Sequence, residues 1–218
     1  MATRALIFDR DGVLTYFELV EAAAFFRPLL PISIWEMARE WQAFGEEQGF
    51  PTSVDHERSF FADFWDRERV RHNLSPAQYE ALLTLDYTRF VRAFPDSQPA
   101  LRHARQAGYR IGVLSNFSLA SLDASLHAAG LADDIDTACA ATVIGASKPA
   151  RPAYEQIAAA LGVEPEACLF FDDEPLCVEG ARAAGMCAYL VDRHRQESDL
   201  AGNVIHSLAM LPALLTPR

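Results

Sequence analysis

Hydrophobic positions in this chain fall into two regimes. Short continuous apolar runs occur at Ala5–Phe8, Ile111–Leu114, Cys168–Phe171 and Cys187–Val191, with a weaker one near Thr137–Val143. Continuous runs, rather than strict alternation, suit strands of a parallel sheet covered on both faces. Between them the spacing predicts helices over Ser97–Ala107, Ser118–Ala129, Arg151–Leu161 and Pro175–Ala184. Each is followed by a glycine, the residue that best tolerates the left-handed conformation at a helix end. Strand and helix in alternation predict a doubly wound, Rossmann-like α/β fold.

One segment breaks the alternation. From about Tyr16 to Pro95 no stretch reads as a convincing strand. Phe25, Phe26, Trp35, Trp41, Phe44, Phe60, Phe61, Phe64 and Trp65 recur there at roughly helical spacing. All three tryptophans lie in this segment. Ser75-Pro76 reads as an N-cap followed by proline in the first helical position. Three or four amphipathic helices are expected, with the aromatics forming their core rather than a ligand box. The organisation expected is a core of residues 1–15 and 96–218, with 16–95 inserted as a helical cap.

The chain has 218 residues, which suits one large domain or a domain carrying an insertion. Half the residues are hydrophobic and 22% are charged, enough apolar material for a packed core. Thirty acidic against nineteen basic residues give a net charge of −11. That balance repels nucleic-acid backbones and anionic membranes, so neither is expected as a partner. At long range it also disfavours an anionic small substrate. Leu200–Pro217 lacks Asp, Glu, Lys and Arg but contains Gly202, Asn203, His206 and Pro212, so no transmembrane helix is expected. The apolar run after Arg4 is too short for a signal-peptide core. Cys139, Cys168, Cys177 and Cys187 form no metal-ligand spacing; Cys168 and Cys187 are expected to be buried thiols in a reducing, cytoplasmic setting.

Four polar clusters follow four of the apolar runs. They are Asp9-Arg10-Asp11-Gly12, Ser115-Asn116, Ser147-Lys148-Pro149 and Asp172-Asp173-Glu174. In an open α/β sheet these strand ends converge, and ligands bind beyond them. Asp9, Asp11, Asp172 and Asp173 would then share one edge. Hard oxygen ligands without Cys or His point to Mg2+. Lys148 and the Ser115 hydroxyl suit a tetrahedral anion such as phosphate. A carboxylate beside them can attack phosphorus, and a second carboxyl can protonate the leaving oxygen and then activate water.

The order Asp-x-Asp-Gly-Val-Leu, Leu-Ser-Asn, Lys-Pro and Phe-Asp-Asp resembles the haloacid dehalogenase-like hydrolases over nearly the whole chain. The position of the insert resembles the helical cap of subfamily I. The resemblance implies that Asp9 is the nucleophile and a metal ligand. It implies that Asp11 is the general acid/base and binds metal through its backbone carbonyl. Ser115 and Lys148 would hold the phosphate with backbone amides near Arg10 and Asn116. Asp173 would bind Mg2+ directly, with Asp172 nearby. Arg10 stands where relatives often have an apolar or small residue. Its side chain is expected either at the surface or cap, or against the substrate. Cys177 stands where many relatives carry Asn or Asp, and Ala150-Arg151 where Asp-Pro often follows the lysine motif. The expected function is hydrolysis of a small phosphate monoester through an aspartyl-phosphate. A 2-haloacid dehalogenase, a phosphomutase and a non-catalytic binding domain on the same fold are the alternatives. Asp11 argues against the first. A metal among the carboxylates would invert the local sign and reconcile a small anionic substrate with the net charge.

Overall fold

The computed structural model describes residues 4–215. Among them, six strands form one parallel sheet: β1 (Ala5–Phe8), β4 (Arg110–Ser115), β5 (Thr137–Ala140), β6 (Cys168–Asp172), β7 (Cys187–Val191) and β8 (Val204–Ile205), in the order β5-β4-β1-β6-β7-β8. The central strand β1 pairs with β4 on one side and β6 on the other. Strand order therefore reverses direction at β1, and a crevice opens at its carboxyl end.

Both faces of the sheet are apolar, which explains the continuous runs. Leu6 and Phe8 pack on one side with Leu101, Ile111, Val113, Leu126 and Phe171. Ala5 and Ile7 pack on the other with Tyr154, Ile157, Phe170 and Val178. The first layer includes α5 (Ser97–Gln106), α6 (Leu122–Ala128) and α10 (Leu211–Leu215). The second includes α8 (Arg151–Ala160) and α9 (Pro175–Ala183). Gly108, Gly130, Gly162 and Gly185 follow the ends of α5, α6, α8 and α9 with φ of 85°, 71°, 66° and 101°, as the sequence pattern predicts.

Several expectations are corrected. The weak run at Thr137–Val143 is strand only to Ala140, and Ala141–Ile144 turns into the short helix α7. The helix expected from Ser118 begins at Leu122, because Glu57 takes both the N–H and the hydroxyl of Ser121. Cys168 is buried, but Cys187 opens β7 at the surface. The segment expected to lack strands has two, β2 (Thr15–Phe17) and β3 (Val91–Ala93). They pair antiparallel as a ribbon where the chain leaves and re-enters the sheet domain. Strands of three residues leave no readable period.

Between the ribbon strands lie α1 (Leu19–Phe26), α2 (Ile34–Gln48), α3 (Val54–His72), α4 (Pro76–Leu83) and a 3-10 turn over Tyr87–Phe90. Ser75 caps α4 through a capping box with Gln78, and Pro76 is at its first turn, as expected. Phe26, Phe44, Phe60, Phe64 and Trp65 are buried in a core of their own. Trp35 departs from the expected core and is 63% exposed. Within this bundle Glu68 is buried beside Glu40 and His72. Burial and the neighbouring Glu40 push its carboxyl up to about 7. A raised acid costs stability once ionised, so this contribution is lost as pH rises from about 4.5 toward 7. Glu68→Gln keeps the shape without the charge. It is expected to raise Tm by about 2–4 °C near pH 8 and to change it little near pH 5, by thermal unfolding at both.

One side chain ties both connections of the insert to the core. Arg193 donates from Nε to the Gly12 carbonyl (3.0 Å) and from Nη2 to the Val13 carbonyl. It also holds both oxygens of Asp96 at 3.1 Å and lies over the Phe94 ring. No described helix is long and apolar enough to cross a membrane.

Candidate active site

Register builds the site. Phe8 sits opposite Phe171 across β1 and β6, and their rings stack at 5.0 Å. One residue further, Asp9 donates its N–H to the Phe171 carbonyl and so comes level with Asp172. Lys148 lies between these two carboxylates, its Nζ 2.6 Å from Asp9 Oδ1 and 2.6 Å from Asp172 Oδ2. Burial works against the lysine charge, but Asp9 and Asp172 outweigh it and push the group to about 12. The loop bearing Lys148 is fixed by Asn116. The Asn116 carboxamide accepts from the Lys148 N–H (2.8 Å) and donates to its carbonyl (2.9 Å). Asn116 follows β4, so β1, β4 and β6 all converge on one lysine.

A pocket of about 320 Å³ opens over these strand ends. Of the eight residues singled out from sequence, Asp9, Asp11, Ser115, Asn116, Lys148 and Asp173 line it. Asp172 and Arg10 do not. Asp172 is fully buried, and both its oxygens are engaged: Oδ2 by Lys148 and Oδ1 by the Glu174 N–H. Adjacent residues at a strand end alternate sides, so Asp173 faces the pocket while Asp172 faces the lysine.

Arg10 points to neither the surface nor the substrate space. It is buried, with its guanidinium 3.8 Å from the centre of the Phe117 ring and Nη1 donating to Ser125 Oγ at 3.0 Å. Its Nε and Nη2 donate to the Asp11 carboxylate at 3.1 and 2.5 Å. Thr15 Oγ1 reaches the other Asp11 oxygen at 3.3 Å. Arg10 and Thr15 therefore set the rotamer of a carboxylate whose side chain is still 52% exposed to the pocket.

Gly12, Phe117, Ser118 and Glu174, to which sequence reasoning assigned no role, also line the pocket, as does Trp41, which was expected only in the helical core. Phe117 and Ser118 simply extend the Ser115-Asn116 cluster, and Glu174 extends the acidic pair. Trp41 arrives from α2, and no local signal foretells it. Cys177, the departure noted after Asp173, donates from Sγ to Glu174 at 3.3 Å.

Asp9, Asp172 and Asp173 each offer a carboxylate oxygen within 4.8 Å of the others. Burial pushes Asp9 up to about 7 against the pull of Lys148. Burial and the Asp172 charge push Asp173 up to about 6. When ionised, the three carboxylates exceed the one lysine by two negative charges, with Asp11 separately paired to Arg10. An all-oxygen donor set with that surplus fits a hard divalent cation.

A model of the haloacid dehalogenase-like hydrolases matches residues 3–185. The chain belongs to this hydrolase family. As a haloacid dehalogenase-like hydrolase it is similar to proteins of two activities. Phosphatase MT3486 of Mycobacterium tuberculosis is 38% identical over 221 residues, covering 99% of this chain and 98% of that protein. Haloacetate dehalogenase H-2 of Moraxella sp. is 33% identical over 112 residues, 51% of this chain and 50% of that protein. Among solved structures, a HAD phosphatase from Thermococcus onnurineus superposes with a TM-score of 0.68 at 26% identity over 98% of both chains.

In this haloacid dehalogenase-like hydrolase the turn after β1 admits no side chain at Gly12. Its φ is +75°, and a Cβ there would sit 2.1 Å from Asp173 Oδ2. Gly12→Ala is expected to displace Asp173 and lower kcat/KM by about 10²-fold or more, measured beside wild type in the same assay.

Proposed function

We propose that the protein is a Mg2+-dependent phosphatase acting on a small phosphate monoester through an aspartyl-phosphate. The observation that carries this reading is Asp11, a second carboxyl lining the same pocket as Asp9. A departing halide needs no proton, so a dehalogenase has no use for it. A departing alkoxide does need one, and in this reading Asp11 supplies it from a side chain that Arg10 and Thr15 orient and that is half exposed to the pocket. The likeness to Phosphatase MT3486 over nearly its whole length supports the same choice.

In this reading Lys148, Ser115 and backbone amides of the loops after β1 and β4 bind the phosphate oxygens. Asp9 attacks phosphorus as the ester P–O bond breaks, and Asp11 gives its proton to the leaving oxygen, releasing the alcohol. Asp11 then takes a proton from water, whose oxygen attacks phosphorus. The Asp9–phosphorus bond breaks, and inorganic phosphate and the free carboxylate are regenerated. Asp9 and Asp173 would hold Mg2+ together with the Asp11 backbone carbonyl. Bound there, the ion neutralises phosphate charge and acts as a Lewis acid. Asp172 serves by holding Lys148 in place. Residues 16–95 act as a cap over a core of 1–15 and 96–218, a reading supported by Trp41 reaching the pocket from α2. The four free cysteines suit a reducing, cytoplasmic setting.

The test is phosphate release from p-nitrophenyl phosphate beside halide release from 2-chloropropionate. Phosphate release with Mg2+, its loss in EDTA and its recovery on adding Mg2+ are the expected results. Halide release without phosphate release would replace this reading by dehalogenation. Hydrolysis that survives EDTA would refute the role given to the carboxylates.

A further inference from the structure

Beside the acidic pocket lies a second cavity of about 350 Å³, enclosed mainly by α1, α2, α3 and the Tyr87–Phe90 turn. Among the described residues no charged one lines it, and the surface they present to it is wholly apolar. The Tyr87 hydroxyl, a polar group that could have answered a ligand, is already bonded to Ser121 Oγ at 2.7 Å. Trp41 lines both this cavity and the pocket containing Asp9 and Lys148. The two spaces therefore meet at one indole. Phe17 and Trp35, 43% and 63% exposed, are also part of the cavity wall and open to solvent.

We infer that this cavity receives the leaving group, and that the substrate is the phosphate monoester of an apolar alcohol. The inference rests on the phosphatase reading of the adjoining pocket. A sugar or nucleoside entering such a wall would give up water at each hydroxyl and find no partner. A hydrocarbon gives up only unfavourable contact with water. Its burial, remote from phosphorus, supplies binding energy that the reacting centre can use. The volume is in the range of small-ligand sites. Hydrolysis then gives the apolar alcohol, inorganic phosphate and the free enzyme, with water the only other reactant.

Trp35, Trp41 and Trp65 all line this cavity, and they are the three tryptophans of the chain. Intrinsic fluorescence therefore reports its occupancy without any turnover. Titration of the full chain with 1-octanol is expected to give a saturable change in emission. Ala38 is an exposed wall residue on α2, where glutamate is a good helix former. Ala38→Glu is expected to remove the saturable response. With Mg2+, kcat/KM is expected to rise about fourfold per methylene from ethyl to butyl to hexyl phosphate. It should exceed the value for glucose 6-phosphate. Ala38→Glu should flatten the series. A flat series in the wild type, preference for the sugar phosphate, or no saturable response to octanol overturns the inference. Saturable octanol binding with no phosphate released from any ester overturns the phosphatase reading and the ester with it, but retains the apolar subsite.

Discussion

Asp9→Asn is expected to abolish turnover, with a loss of about 10⁴-fold or more in kcat, while the chain stays folded. The substitution removes the attacking oxygen's charge and keeps the side chain's volume. The introduced carboxamide would still offer Lys148 an oxygen acceptor, and the lysine would keep Asp172 at 2.6 Å. Its positive charge therefore stays compensated, so melting should shift by no more than a few degrees. Steady-state phosphate release and thermal unfolding of one preparation decide the matter. Activity near wild type in a folded variant would remove Asp9 from the mechanism.

Lys148→Ala should lose stability as well as activity. It leaves Asp9 and Asp172 buried with no cation between them. Removing one member of a buried ionic group costs about 3–5 kcal/mol, because the partners remain desolvated. The double variant Lys148→Ala/Asp172→Asn is expected to recover part of that stability and none of the activity. Denaturant unfolding of the two single variants and the double variant measures the coupling. Additive losses of stability would mean that the lysine and Asp172 do not act as a unit.

The parts of the site written in the order of the chain were legible. Asp9, Ser115, Lys148 and Asp173 each follow an apolar run, and the sheet brings those run ends together. What escaped is what depends on distant partners. Arg10 could not be placed because Phe117 and Ser125, which hold it, lie more than a hundred positions away. Asp172 and Asp173 read alike as letters, yet strand geometry sends one to the lysine and the other to the pocket. The helical insert was legible through its aromatics, but not which of them face inward. Trp35 and Trp65 share one cavity, although one is exposed and the other buried. The ribbon of β2 and β3 was invisible because six residues in two separate pieces carry no pattern.

Arg193 sets a mechanical boundary. By gripping the carbonyls of Gly12 and Val13 together with Asp96, it pins the outgoing and returning chains at nearly one point. Any swing of the helical bundle has to be taken up beyond that rivet, in the ribbon. The turn that carries Asp9 and Asp11 lies on its fixed side, and Thr15, the first residue of the ribbon, stays bonded to Asp11, so a swing that keeps the aim of both carboxylates has to begin past Thr15.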